Sequence, residues 1–164
     1  MTFRVGWGYD AHRLDGPPPL KMAGVVVSET IGLSATSDGD VVAHAVTDAL
    51  LGALAAGDIG EHFPSDDPAS EGADSMEMLA VAVESCSASG LTPTHLDVTV
   101  LAEDVRISPH RAALRSALAT ALRLEIDAVS VKATSTDGLG FVGRGEGLAV
   151  MAVVTVEALP NIGS

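Results

Sequence analysis

The stretch Thr36-Ser37-Asp38-Gly39-Asp40-Val41-Val42-Ala43-His44-Ala45-Val46-Thr47-Asp48 decides the fold, because an acidic, glycine-hinged turn runs there directly into a helix. Asp38 or Asp40 is suited to cap that helix, since a short carboxylate accepts the free N–H groups of a first turn. Asp40, His44 and Asp48 recur every four residues and form one polar stripe, while Val42, Ala45, Val46, Ala49 and Ala53 form an apolar one. The expectation is a helix that buries one face and presents chemistry on the other.

A lone histidine on such a helix is as readily structural as functional. The N-terminal run Val5-Gly6-Trp7-Gly8-Tyr9-Asp10-Ala11-His12 adds weight, because it reads as a strand ending in Asp-x-His. Alternate residues of an extended chain share a face, so Asp10 and His12 can grip one ion. With His44 they make three ligands and leave a fourth position for water or substrate, the arrangement of catalytic rather than structural zinc.

The chain has 164 residues and is 47% hydrophobic, which suits a single domain, 1–164, with a real core. Its net charge of −13 argues against a nucleic-acid or anionic membrane partner. An anionic ligand would need local attraction from bound cations, backbone N–H groups and arginines, since Lys21 and Lys132 are the only lysines. The single cysteine, Cys86, excludes an internal disulfide and fits a reducing compartment. Met1 to Val5 lack a signal-peptide layout, and the longest apolar run, about Gly147 to Val156, falls short of the roughly 20 residues that span a bilayer. The expected compartment is the cytoplasm.

Strands are expected over Thr2 to Gly8, Leu96 to Leu101, Val129 to Thr134 and Leu148 to Ala158, the last apolar enough to be covered on both faces. Leu20 to Met22 and Val25 to Val27 read as a hairpin after the proline-rich loop at Arg13 to Pro19. One helix is expected from about Asp74 to Ser89, with Asp74 and Glu77 as a capping box and Met78, Leu79, Ala82 and Val83 as its core face. A second, from about Pro109 to Leu122 and capped by Ser108, buries Leu114, Ala117, Leu118 and Ala121, and with Arg106 its start suits an anion. Ala56 to Pro68 is too rich in Gly, Pro and Asp to be regular; within it Gly57-Asp58-Ile59-Gly60 sets a carboxylate beside approachable N–H groups, as binding a sugar hydroxyl requires. The glycine-rich run Ser135 to Gly147 is either a loop that closely approaches a phosphate or a plain hairpin.

Asp10-Ala11-His12, Ser37-Asp38-Gly39-Asp40 through His44, Gly57-Asp58-Ile59-Gly60, Phe63-Pro64, Lys132-Ala133-Thr134 and Gly140-Phe141-Val142-Gly143-Arg144-Gly145-Glu146-Gly147 occur in the order seen in the 2-C-methyl-D-erythritol 2,4-cyclodiphosphate synthases of the non-mevalonate isoprenoid pathway. The chain resembles that family over essentially its whole length. The resemblance implies an α+β fold, a mixed four-stranded sheet backed by helices on one face, assembled as a homotrimer with active sites between neighbours. It implies that 4-diphosphocytidyl-2-C-methyl-D-erythritol 2-phosphate is cyclised with release of CMP, a phosphorus–oxygen lyase reaction. No protein nucleophile is needed for that; in-line positioning of a polyanion and neutralisation of its charge are.

By resemblance, Asp10, His12 and His44 hold Zn2+, Asp10 and His12 also touch substrate, and a second ion, Mg2+ or Mn2+, bridges the substrate phosphates near Asp137. Thr36 and Ser135 fall at the positions of transition-state stabilisation, and Ser37 lies beside the first. Asp58, Ile59 and Gly60 resemble the ribose and backbone contact, and Phe63, Pro64, Ser65, Asp66 and Asp67 the wall around the methylerythritol. Ala102, Glu103, Asp104, Val105, Arg106, Ile107 and Ser108, with Thr134, Ser135, Thr136 and Asp137, resemble the cytidine and diphosphate cradle of the adjoining subunit. Phe141, Arg144 and Glu146 match a cavity on the trimer axis that in some relatives takes an isoprenoid diphosphate. The chain departs from the family pattern at Thr36, where histidine is usual, and at Glu103-Asp104-Val105-Arg106 in place of Gln-x-Pro-Lys. Two other functions fit the same residues: a zinc phosphoesterase that activates water, and a non-catalytic trimer that binds an isoprenoid diphosphate through Arg144.

Overall fold

A computed structural model describes residues 3–158. The strands are β1 (Phe3–Arg13), β2 (Leu20–Met22), β3 (Val25–Ser28), β4 (Leu91–Leu101), β5 (Val129–Thr134) and β6 (Gly147–Ala158). The helices are α1 (Val41–Leu54), α2 (Ile59–His62), α3 (Ser75–Ala88), α4 (Arg111–Leu122) and α5 (Gly140–Gly143). The main sheet has the order β1-β6-β4-β5, antiparallel except for the parallel β4–β5 pair, and β2 and β3 form a separate hairpin. It is therefore the expected mixed four-stranded sheet in an α+β chain. The expected strand start at Thr2 lies outside the described residues.

α1 lies across β1 and β6, α3 packs on α1 and β4, and α4 packs on β5. Val42, Ala45, Val46, Ala49 and Ala53 of α1 and Met78, Leu79, Ala82 and Val83 of α3 are buried, as their spacing implied. They meet Val98, Val100, Val150, Ala152 and Val154 of the sheet. A Cβ on Gly6 would lie 1.7 Å from the Ala49 carbonyl oxygen, and one on Gly8 2.0 Å from that of Ala45. Strand and helix thus touch backbone to backbone, and this contact sets the distance between Asp10 and His44. Gly8→Ala is expected to destabilise the fold by at least about 1–3 kcal/mol, because neither backbone can yield as a side chain would. Chemical denaturation checks this; an unchanged midpoint would contradict it.

Several expectations change. Asp40, not Asp38, caps α1: its carboxylate accepts from Ala43 N–H at 3.0 Å, and from Ala23 and Gly24 N–H at 2.7 Å each. Asp40 is fully buried, so the polar stripe does not present three side chains; of its members His44 alone joins the ligand cluster, while Asp48 accepts from Ile59 N–H at 2.9 Å. Residues 56–68 hold one regular turn, α2, capped by Asp58 through Glu61 N–H at 3.0 Å. β4 begins at Leu91, earlier than its alternation suggested, because the sheet absorbs Pro93 next to a register shift. Ser108 makes no capping bond; residues 108–110 form a 3-10 turn ahead of α4. α4 buries Leu114, Leu118, Ala119 and Leu122, leaving Ala117 and Ala121 half-buried.

The final strand is covered on one face only. On the other, Met151 and Val153 of β6 line up with Phe3, Val5, Trp7 and Tyr9 of β1, all exposed, with Trp7 at 59%. The Trp7 and Tyr9 rings stack with centroids 6.3 Å apart. A contiguous apolar patch of this kind marks a contact surface.

Candidate active site

β1 places Asp10 and His12 on one face, and α1 brings His44 over them. Asp10 Oδ2 lies 2.9 Å from His12 Nε2 and 2.9 Å from His44 Nδ1, and the two ring nitrogens are 3.4 Å apart. The three ligand atoms fall within 4.8 Å of one another, and the side chains keep 12 to 25% of their surface exposed. His12 Nδ1–H donates to the Ser34 carbonyl at 2.9 Å, so that when Nε2 gives up its proton its lone pair faces the cluster. Two nitrogens and one carboxylate with an open side fit a zinc ion that keeps a free coordination position.

The protons of this cluster behave accordingly. Burial would raise the Asp10 carboxyl, but hydrogen bonds from His12 and His44 and their positive charge outweigh it and hold it far below the usual carboxylate range. His12 is raised, first by its hydrogen bond to Asp10, with burial opposing. A depressed acid stabilises the fold above its unfolded pKa and a raised base below its own, so the metal-free pairing is fully stabilising between about pH 3.9 and 6.5. Zinc must displace the His12 proton. Its association constant is therefore expected to climb about tenfold per pH unit below the raised His12 pKa and to level off above it. Chelator competition between about pH 6 and 8.5 measures this, and a flat profile would contradict it.

Beside the cluster opens a cavity of about 370 Å³. His12 and His44 form its floor; Thr36 and Ser37 line one wall, and Ile59, Gly60, Phe63, Pro64, Ser65 and Asp66 another. Asp67 lines an adjoining groove with Thr36 and Ser65. The Asp48 bond to Ile59 N–H anchors the second wall to α1. Asp58 caps α2 with one carboxylate oxygen and does not line the cavity. Ala35, Ser70 and Met78 also line the space without having been foreseen. For Met78 the helical period was legible, but it pointed only to the core.

The remaining site residues gather elsewhere. Ala102 N–H donates to the Thr134 carbonyl at 3.0 Å and Thr136 N–H to Glu103 Oε2 at 3.2 Å, so 102–108 and 134–137 form one loop cluster at the ends of β4 and β5. Asp137 and Gly138 follow with successive positive φ values of 52° and 78°, and Ser135 is exposed. None of these residues lines the cavity. β1 and β5 are opposite edges of the sheet, three strand spacings or roughly 14 Å apart. The run 135–147 is neither a hairpin nor an open loop, since α5 makes a single turn in it. Phe141 lies on that turn, and Arg144 just after it pairs with Glu146 at 2.8 Å.

Residues 3–157 match the YgbB family. The chain belongs to that family. It is 49% identical over 159 residues to a 2-C-methyl-D-erythritol 2,4-cyclodiphosphate synthase of Shewanella piezotolerans, covering 97% of this chain and 100% of that one. It is 51% identical to the synthase of that name from Idiomarina loihiensis, covering 96% and 99%. Among solved YgbB-type structures, a cyclodiphosphate synthase in a CDP-bound form superposes with a TM-score of 0.86 at 34% identity, over 94% of this chain and 100% of that one. The bifunctional IspDF of Campylobacter jejuni superposes with a TM-score of 0.93 at 40% identity, over 96% of this chain and 43% of its own.

Proposed function

We infer that this YgbB-family chain is an enzyme that converts 4-diphosphocytidyl-2-C-methyl-D-erythritol 2-phosphate to 2-C-methyl-D-erythritol 2,4-cyclodiphosphate and CMP, acting as a cyclising phosphorus–oxygen lyase in the cytoplasm. The observation that carries the reading is the convergence of Asp10, His12 and His44 on one point beside a cavity that His12 and His44 line. Full-length similarity to synthases of that name supports it. Among the described residues no helix is long and apolar enough to cross a membrane.

The 2-phosphate oxygen attacks the β-phosphorus, the bond to the bridging oxygen of CMP breaks, and the ring closes. Zinc held by Asp10, His12 and His44 would supply Lewis acidity and a template for phosphate, and Mg2+ or Mn2+ held by Asp137 would neutralise charge on the diphosphate. The protein's part is to hold the chain of the substrate folded so that attacking oxygen, phosphorus and leaving oxygen fall in line. Thr36 and Ser37 offer hydroxyl donors at the cavity wall, and Ser135 offers another to charge that develops at phosphorus. Asp58, Ile59 and Gly60 contact the ribose and its backbone, Phe63 to Asp67 enclose the methylerythritol, and 102–108 with 134–137 take the cytidine and diphosphate.

Those two groups lie at opposite sheet edges, so a complete site requires a neighbouring copy. A homotrimer packed through the exposed face of Val5, Trp7, Tyr9, Met151 and Val153 meets that need, with each 1–164 chain as one domain. Phe141 and Arg144 would then face the axis, where an isoprenoid diphosphate fits.

Oxygen labelling tests the reaction. Turnover in 18O-water is expected to place no label in either product, because the attacking oxygen belongs to the substrate. Label in a phosphate product would identify a zinc phosphoesterase instead.

A further inference from the structure

We propose that Ser75 and Asp38 form a hydrogen-bond relay that fixes His44 in its metal-ligating orientation and tautomer, making both positioning residues for the metal centre; the proposal rests on the zinc reading above. His44 faces the cluster with Nδ1. Its other nitrogen, Nε2, lies 2.8 Å from Ser75 Oγ and 3.1 Å from Ser37 Oγ. Ser75 is fully buried at the start of α3, and its hydroxyl donates to Asp38 Oδ1. The Ser75 backbone N–H reaches that same oxygen at 3.3 Å, as does the N–H of Asp40.

A hydroxyl has one proton to give. With it committed to a carboxylate, Ser75 Oγ presents only lone pairs to His44, so Nε2 must carry the hydrogen. In the neutral, metal-ligating form an imidazole with Nε2–H has its lone pair on Nδ1, the atom turned toward Asp10 and His12. His12 is held the opposite way round, with Nδ1–H on the Ser34 carbonyl. Both rings are thus oriented from outside the cluster, in opposite tautomers, and aim their lone pairs at one point. Neither Ser75 nor Asp38 lines the cavity beside the cluster, so their effect passes through His44. Because Asp38 precedes α1 and Ser75 begins α3, the relay also links ligand geometry to the packing of these two helices.

The test uses the full chain as wild type, Ser75→Ala, Asp38→Ala and Asp38→Asn. Zinc affinity is measured by chelator competition, circular dichroism checks the fold, and 15N-histidine NMR of the zinc-loaded protein follows the His44 Nε2–H signal. Ser75→Ala and Asp38→Ala are expected to weaken zinc binding roughly 10- to 100-fold in a folded protein and to turn a slowly exchanging Nε2–H into a fast one. Asp38→Asn keeps a carbonyl oxygen for the Ser75 hydroxyl and is expected to recover most of the affinity. Wild-type affinity in Ser75→Ala, or an Asp38→Asn variant as weak as Asp38→Ala, would overturn the relay while leaving the zinc site standing. A wild-type protein that takes up no zinc would remove the metal reading and the relay with it.

Discussion

His44→Ala is expected to give a folded protein that takes up little zinc and turns over roughly 10³-fold more slowly, since a Lewis-acid metal supplies several kcal/mol to a phosphoryl transition state. The fold should survive because the helix containing His44 is held by other residues: Val42, Ala45, Val46 and Ala49 pack on the sheet, and Asp40 caps the first turn. The half-buried imidazole makes its hydrogen bonds within the cluster and to Ser37 and Ser75, none of which is needed to pack the core. Metal content by atomic emission, read beside the rate of CMP release, checks both halves. A zinc-free variant with wild-type rate would refute the metal assignment.

The second large effect concerns assembly. Trp7→Glu would place a charge in the apolar sheet face that the proposed trimer would bury, and an unpaired buried charge costs several kcal/mol at each copy. Because Trp7 is exposed in the single chain, the protomer itself should remain folded. Sedimentation is expected to change from trimer to monomer, with CMP release lost because the loops at 102–108 and 134–137 no longer reach a cavity. Mixing with subunit exchange tests the shared site in an assembly whose interface is intact. His44→Ala and Ser135→Ala damage opposite halves, and random closed trimers of the two return about a quarter of the sites intact. Activity no higher than the mean of the two variants would show that each chain holds its whole site.

The fold was legible where a period was strong and uninterrupted. Val42 to Ala53 and Met78 to Val83 announced their buried faces, and Val129 to Thr134 its strand, because local alternation and tertiary burial agree there. Pro93 hid the first half of β4, since a proline inside a run reads as a break and only the register shift accommodates it. β6 was read as covered on both faces because a continuous apolar run does not tell which of its faces the chain's own helices cover.

For the site, Asp10, His12 and His44 were legible because Asp-x-His in a strand leaves few alternatives. The carboxylates were harder to assign. Asp40 looked exposed and chemical by spacing but is buried as a helix cap, Asp58 caps a helix while staying exposed, and Asp38 turns to Ser75. Ser75 carried no signal of its own, since its partner lies on another helix and a serine beside a capping aspartate reads as part of a helix start. The two groups of residues were named from motif order, and the strand order sets the strands that carry them at opposite edges of the sheet.

The central claim is the ring-forming reaction, and phosphorus NMR of the purified protein with 4-diphosphocytidyl-2-C-methyl-D-erythritol 2-phosphate, zinc and magnesium tests it most directly. A cyclic diphosphate and CMP appearing in equal amounts is the predicted result. Phosphate monoesters without the ring, or an unchanged spectrum from protein with zinc bound, would contradict it.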